Sequence, residues 1–446
     1  MKKAISITIL LIMVISAAAL TAAATFEDRS DDRVHDERFF DSLVVDGVDV
    51  SIYQGGNSDW NAAKASGIDF AIMRVTLTRN VSGTMETDSV FEEHYNNAKD
   101  AGIMCGVYAF SQAKDAEEGA KEAEFAVARL QELGIGPEDL MLPVYMDYEF
   151  LNKGASRLSD LTSENAIAAA QAFCETVQSY GYDAGIYANS SFFTEYLNEG
   201  RDFSDDIDLW IAQYSSSISS ECRYSKWQYS SSAKVPDIYV NSESDVLDDV
   251  DINYWYIDRE IGDSPISISG NTNLEYTGGP VLPELAVHDG EELLEEGTDY
   301  IVGGIRNIDA GDGAYAYIKG IGEYEGYALV PVNIEDDQFD SINLPSKVIK
   351  GTNYEKTGYR IYSDSDRTCI GTVPEGLTSK ELLDDIELSN EDYHMGMINS
   401  HGERMDDDSI VDFNDMIGIY NEDDTLIGTI DIETETEKGI NNIRHK

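Results

Sequence analysis

Positive charge is scarce in this sequence. Its 31 lysines and arginines stand against 85 aspartates and glutamates, a formal net charge of −54. A surface of that sign repels nucleic acid and anionic lipid, so both are poor partners. The acids are spread through patterned segments and read as solvated faces of folded modules. Cysteine is also scarce. The four residues Cys105, Cys174, Cys222 and Cys369 are too widely spaced for a metal site or a dense disulfide framework. Cys105 falls in an apolar strand-like run and Cys174 in a helical one, which predicts buried free thiols. The six histidines show no pairing pattern, and His94 sits on a helix. Neither a Ser/His triad nor a zinc site is indicated, and no cofactor or metal is expected. Asp406-Asp407-Asp408 lacks the spaced ligands and glycine of a calcium loop and reads as a solvated turn. No apolar run after residue 20 is long enough to span a membrane.

The one long apolar run, residues 4–20, follows Met1-Lys2-Lys3 and precedes Thr21-Ala22-Ala23-Ala24. These are the parts of a secretory signal over residues 1–24, with an uncleaved anchor as the alternative. The mature chain is expected to be secreted or cell-surface associated, with no membrane span. Residues 25–45 are polar and read as a leader or linker.

From residue 46 short apolar strands alternate with helical stretches at 60–66, 89–101, 115–133 and 163–180. Alternation of this kind implies a parallel sheet covered on both faces. Eight strand-like runs between residues 46 and 258 favour an α/β fold, a TIM-like βα barrel. Helices thin out after Leu197, so the barrel is expected to be irregular, with an incomplete helical ring. All-β modules are expected to follow. Residues 263–335 are written in strands and turns, with Tyr276-Thr277-Gly278 and Gly297-Thr298-Asp299-Tyr300 resembling the Ig-like repeats of bacterial surface proteins. Residues 336–446 read as a second β-rich surface module, with one helix at 378–386 that Ser379 would cap.

The stretch Leu142-Pro143-Val144-Tyr145-Met146-Asp147-Tyr148-Glu149 ends an apolar strand in two carboxylates. Side chains two apart share a strand face, so Asp147 and Glu149 project together, away from Tyr148. Like charges so placed cost stability unless chemistry uses them. Glycoside hydrolysis does, since it needs one protonated acid and one ionised partner.

The order of motifs makes this specific. Gly47-Val48-Asp49-Val50-Ser51, Phe70-Ala71-Ile72-Met73-Arg74, Gly106-Val107-Tyr108-Ala109-Phe110 and the Asp147-Tyr148-Glu149 strand come first. Gly185-Ile186-Tyr187-Ala188-Asn189, Leu209-Trp210-Ile211-Ala212-Gln213-Tyr214, Trp227-Gln228-Tyr229 and Asp249-Val250-Asp251-Ile252-Asn253 follow. In this order they resemble the glycoside hydrolase family 25 lysozymes, the Chalaropsis-type muramidases, over residues 46–258. The resemblance implies hydrolysis of peptidoglycan between N-acetylmuramic acid and N-acetylglucosamine. It implies Glu149 as general acid, and an ionised Asp147 that stabilises the transition state, with orientation of the substrate's N-acetyl group as one route. Asp49 and Asp251 would tune these groups, bind substrate or act as base. Tyr108, Tyr187, Trp210 and Gln213 are candidates to line the sugar cleft, although ordinary barrel core explains them as well. Trp60 and Met73 read as packing. Ala109 stands where many relatives carry histidine or an aromatic, which would alter a substrate contact.

Two other readings stay open, a non-catalytic wall-binding or adhesive protein and a glycosidase acting on another amino sugar polymer such as chitin. The C-terminal modules are expected to bind a cell surface. A barrel holding its own core and site would fold and work when the chain is ended near Asp258. The charge carries a prediction of its own. Bacterial walls are often anionic, so raising salt from low to moderate, where screening shortens to about 8 Å, should speed digestion of intact walls. An uncharged oligosaccharide should respond less, and equal salt responses would refute the repulsion.

Overall fold

The computed structural model describes residues 33–445 except 56–57, 151–156, 237, 239–249, 260–263, 310, 336–348, 353–359, 364–367, 372, 374–376, 390–392, 400–403, 408, 410, 412–414 and 434–439. The signal read at residues 1–24 and the first part of the leader lie outside the described residues. Eight strands close a barrel in chain order. They are β1 (Leu43–Val50), β2 (Phe70–Thr78), β4 (Met104–Ser111), β5 (Val144–Tyr148), β6 (Ala184–Asn189), β7 (Asp208–Ala212), β8 (Lys226–Ala233) and β9 (Val250–Ile257), with a short β3 (Met85–Thr87) hairpinned onto β2. Pairings from β1 to β8 are parallel. Strand β9 runs antiparallel to both β8 and β1.

Crossovers explain this switch. Parallel neighbours need a long connection, usually a helix, and α1 (Trp60–Ala65), α2 (Phe91–Asp100), α3 (Ala116–Glu132), α4 (Ser163–Ser179) and α5 (Ser190–Tyr196) serve β1 through β7. Among the described residues none follows β7 within the barrel. Strand β8 is reached by a helix-free loop, and β9 then turns back. Its first residues therefore lie at the rim where the other strands end.

Alternation sorts the strand residues. Val48, Met73, Val107, Met146, Ile186 and Ile211 face out to the helices with Trp60 and His94's helix, and Cys105 and Cys174 are buried free thiols there. Phe70, Ile72, Met104, Tyr145 and Trp255 fill the barrel. Gly47 makes room for one of them, since a Cβ there would stand 2.4 Å from the Phe70 ring. Helices α3 and α4 approach as closely at Gly119, whose Cβ would meet the Ala169 carbonyl at 2.2 Å.

Where the helical ring stops, the chain covers β8 and β9 with residues 33–42. Phe39 stacks on Tyr256 at 3.9 Å, and His35 Nδ1 lies 2.7 Å from the Tyr256 hydroxyl. Arg33 lies 4.1 Å over the Tyr229 ring and Arg38 4.3 Å over Tyr224. Strand β1 itself begins at Leu43. The end of the segment read as a linker is thus a strap over the exposed backs of two strands.

The opposite end of the barrel is sealed by the β module that follows. Strands at 266–270, 285–289 and 292–293 form one sheet; those at 273–275, 300–305, 311–320 and 327–335 form another. Ile305, Tyr315, Tyr317 and Leu329 share one apolar core with the barrel interior. The Trp255 and Tyr317 rings meet edge to face at 5.1 Å. Buried Lys64 bonds both Asp69, at 2.6 Å, and the Gly304 carbonyl, at 3.1 Å. Lys319 pairs with Asp183 at 2.6 Å. Strands Ile440–Asn441 and Arg444–His445 return to this module and pair with its strands Tyr327–Glu335 and Tyr324–Glu325. Residues between 349 and 433 carry a core of their own around Ile370, Leu382, Ile417 and Ile430. Its helix, α6 (Ser379–Asp384), is capped by Thr378, whose hydroxyl accepts the Glu381 N–H, rather than by Ser379.

A core shared across residue 258 changes what truncation should do. Ending the chain near Asp258 uncovers Phe70, Ile72, Tyr145 and Trp255, so that protein is expected to melt lower than the full chain or fail to fold. Within the full chain, Tyr317→Ala should cost about 3 kcal/mol, as aromatic truncations in cores do. Urea unfolding of the variant checks this; a change under about 0.5 kcal/mol would make the seal superficial.

Candidate active site

At the rim the barrel interior turns polar. The inward positions Asp49 on β1, Asp147 on β5 and Asp251 on β9, with Glu149 one residue past β5, line an open cleft of about 580 Å³. Asp49 and Asp251 are direct cross-strand partners. Tyr148 points the other way, as its neighbours' alternation requires, and its hydroxyl donates to the Ala113 carbonyl at 2.5 Å. Glu149's own carbonyl is pinned by Gln112 Nε2 at 3.2 Å. On β2, the strand next to that of Asp49, stands Arg74, locked by Nε and Nη2 to buried Asp88 at 2.8 and 2.7 Å. Asp88 in turn accepts the backbone N–H groups of Ile52 and Val90.

Burial dominates the electrostatics. It pushes the Glu149 carboxyl up to about 7, helped by the charge of Asp49. Asp49 rises to about 6 for the same reason, held back by hydrogen bonds from Asn253, Gln228 and Asp251. Asp147 is pushed well above the usual carboxylate range, first by burial, then by Glu149 and Asp49, with Arg74 pulling the other way. Its Oδ1 is buried and has no hydrogen-bond partner. Burial therefore works against the ionised state expected of Asp147. The acids titrate as a set that shares protons.

Residues 48–238 match the family model described as Glycosyl hydrolases family 25. The barrel is a glycosyl hydrolase family 25 domain. The chain is similar to the "Autolytic lysozyme" of Clostridium acetobutylicum, 29% identical over 198 residues, which are 44% of this chain and 54% of that protein. It is also similar to "Lysozyme M1" of Streptomyces globisporus, 26% identical over 199 residues, 44% of this chain and 65% of that protein. The chain thus matches between about half and two thirds of these relatives' lengths. Among solved structures, the bacterial lysozyme from Streptomyces coelicolor is 24% identical with a TM-score of 0.38, over 47% of this chain and 91% of that one.

Within the family 25 barrel, Tyr108, Tyr187 and Trp210 do line the cleft. Two of them also support it from beneath. The Tyr187 hydroxyl bonds Gln228 Oε1, and the Trp210 indole bonds Asn253 Oδ1, each at 2.8 Å. Gln213 is elsewhere. Its amide ties down the turn after β7, donating to Ser215 Oγ and the Ser217 carbonyl at 2.9 Å. It sits one position past the inward-facing Ala212, where the strand has ended. Ala109 faces the helical layer because its neighbours Tyr108 and Phe110 take the inward positions, so it touches no part of the cleft. Arg74, Gln228, Asn253 and the rim residue Tyr53 belong to the site or its support and were not singled out from the sequence. Their signal was there: a polar side chain inside an aromatic run, as in Trp227-Gln228-Tyr229 or Ile252-Asn253-Tyr254, must find a buried partner.

Raised carboxyl values carry a stability signature. The folded cleft favours the protonated acids, so the cluster's contribution is full below the ordinary values of 3.8 and 4.5. It is lost as pH rises through about 6 for Asp49 and about 7 for Glu149. Asp147→Asn keeps the shape and removes the charge. It should raise the thermal midpoint at pH 8 by a few degrees or so and leave it unchanged at pH 4. Thermal unfolding of both proteins at the two pH values checks this.

Proposed function

We propose that this protein is a secreted muramidase. It hydrolyses the β-1,4 bond between N-acetylmuramic acid and N-acetylglucosamine in peptidoglycan, with Glu149 as general acid. The carrying observation is a pair of strand-end acids in one cleft, Glu149 with its proton held to about 7 and Asp147 with an unpartnered buried oxygen. Family membership and the two lysozyme relatives support the substrate class. A general acid works best with a pKa near the working pH, and Glu149 meets that condition through burial and the neighbouring anion. Asp147 acquires its role when substrate arrives. An N-acetyl N–H supplies the donor that Oδ1 lacks, and positive charge developing at the sugar favours the carboxylate, with Arg74 already on that side. The wall-binding reading has less in its favour, since all four acids line one cleft.

Retention on a surface is a role we assign to residues 349–433, because the module before them has its barrel-facing side occupied. No helix among the described residues is long and apolar enough to cross a membrane.

Glu149→Gln should lower kcat/KM on peptidoglycan by about 10²- to 10⁴-fold with an intact melting curve. Wild-type activity should fall with an alkaline midpoint near 7. Reducing-end analysis of the digest should find N-acetylmuramic acid. N-acetylglucosamine ends, or turnover of chitin in preference, would point to a different glycosidase, and a folded Glu149→Gln variant with near-normal rates would remove the acid assignment.

A further inference from the structure

Asp49 Oδ2 accepts two hydrogen bonds, from Gln228 Nε2 at 2.7 Å and from Asn253 Nδ2 at 2.9 Å. Neither amide is free to turn over. The Trp210 indole N–H can only donate. It lies 2.8 Å from Asn253 Oδ1, so the Asn253 NH₂ group must face Asp49. Tyr187 and Tyr214 hydroxyls both meet Gln228 Oε1 at 2.8 Å, and reversing Gln228 would set a carbonyl oxygen against the carboxylate. Gln228, Asn253, Trp210 and Tyr187 are each more than nine-tenths buried, so water does not replace these bonds.

On its other side Asp49 meets Asp251, its cross-strand partner, carboxyl to carboxyl. Two carboxyl groups that hydrogen-bond each other hold one proton between them. The member already receiving two N–H donors is the better anion. We infer that Gln228 and Asn253 are positioning residues that hold Asp49 as the acceptor of the Asp49–Asp251 pair and leave the pair's proton on Asp251. Trp210, Tyr187 and Tyr214 hold the amides in turn. The remaining charged and titratable groups around Asp49 are Asp147 and Glu149 from β5, Arg74 from β2 and Tyr108 from β4, with Tyr187 and Tyr214 from β6 and the turn after β7.

The arrangement reaches the chemistry through Glu149. The charge on Asp49 is what, after burial, keeps the Glu149 proton in place. Weakening the amide bonds lets Asp49 take a proton more readily, and that in turn lets Glu149 lose its own at lower pH. The two shifts run in opposite directions, which simple loss of packing would not produce.

The kinetic part of the test rests on the muramidase reading; the titration part does not. In the full wild-type chain with ¹³C-labelled aspartate carboxyls, assigned through Asp49→Asn and Asp251→Asn, Asp49 should titrate below Asp251. The reverse order overturns the inference, whether or not any variant folds. Asn253→Leu and Gln228→Leu should each raise the Asp49 midpoint by about one pH unit or more and move the alkaline limb of kcat/KM downward. Unmoved midpoints in folded variants also overturn it. A wild-type protein that does not cleave peptidoglycan would defeat the proposed function, and the carboxyl titration would still decide the placement of the proton.

Discussion

Four carboxylates lining one cleft are the constraint that the rest of the barrel answers to. Each added acid makes its neighbours harder to ionise, and burial raises that cost. The structure spreads the load over several supports. Asp49 is held by two amides, Asp147 feels Arg74, and Arg74 is itself fixed by Asp88. None of these supports is on a loose segment. Gln228, Asn253 and Arg74 stand on strands of a barrel whose lower half is filled by Phe70, Ile72, Met104, Tyr145 and Trp255, so the acids are aimed by a packed core.

That core needs closing from outside in two places, and both closures come from distant sequence. The strap covers β8 and β9 where the described residues form no helix, and it does so with aromatic contacts such as Phe39 on Tyr256. The β module replaces solvent at the barrel floor, with Tyr315 and Tyr317 entering the same apolar cluster as Trp255. Composition hides both devices. Residues 25–45 look like a polar leader because the contacts described for 33–42 come from Phe39, His35 and two arginines, whose partners lie about 200 positions away. The 263–335 segment carries the writing of a free-standing module, and nothing local marks which of its faces is covered.

Legibility of the site followed the reach of each argument. Period-2 alternation was enough to pair Asp147 with Glu149 and to turn Tyr148 away. Apolar spacing of three to four residues was enough to predict the helices, two of which are followed by glycines, Gly102 and Gly181, at φ of 75° and 87°. Resemblance added Asp49 and Asp251, which no spacing rule connects across two hundred residues. Gln213 was misplaced because strand β7 stops at Ala212, and a one-residue difference moves a side chain from cleft to turn. Ala109 was misread for the same reason of phase. The direction of β9 was not visible either, since a strand's orientation depends on its connection rather than on its own residues. That orientation is what brings Asp251 to the rim.

The return of residues 440–445 to the module at the barrel floor has a consequence for biosynthesis. The chain makes the cleft first, then most of the seal, then the whole of the 349–433 module, and only then the strands that complete the seal, with Ile443 buried in its core. A nascent chain emerging in that order owns every acid of the cleft long before it owns a finished floor beneath them. Ribosome release before residues 440–445 would leave the cleft's residues in place over an open foundation, so the strands at 440–445 act as a late lock on the barrel floor.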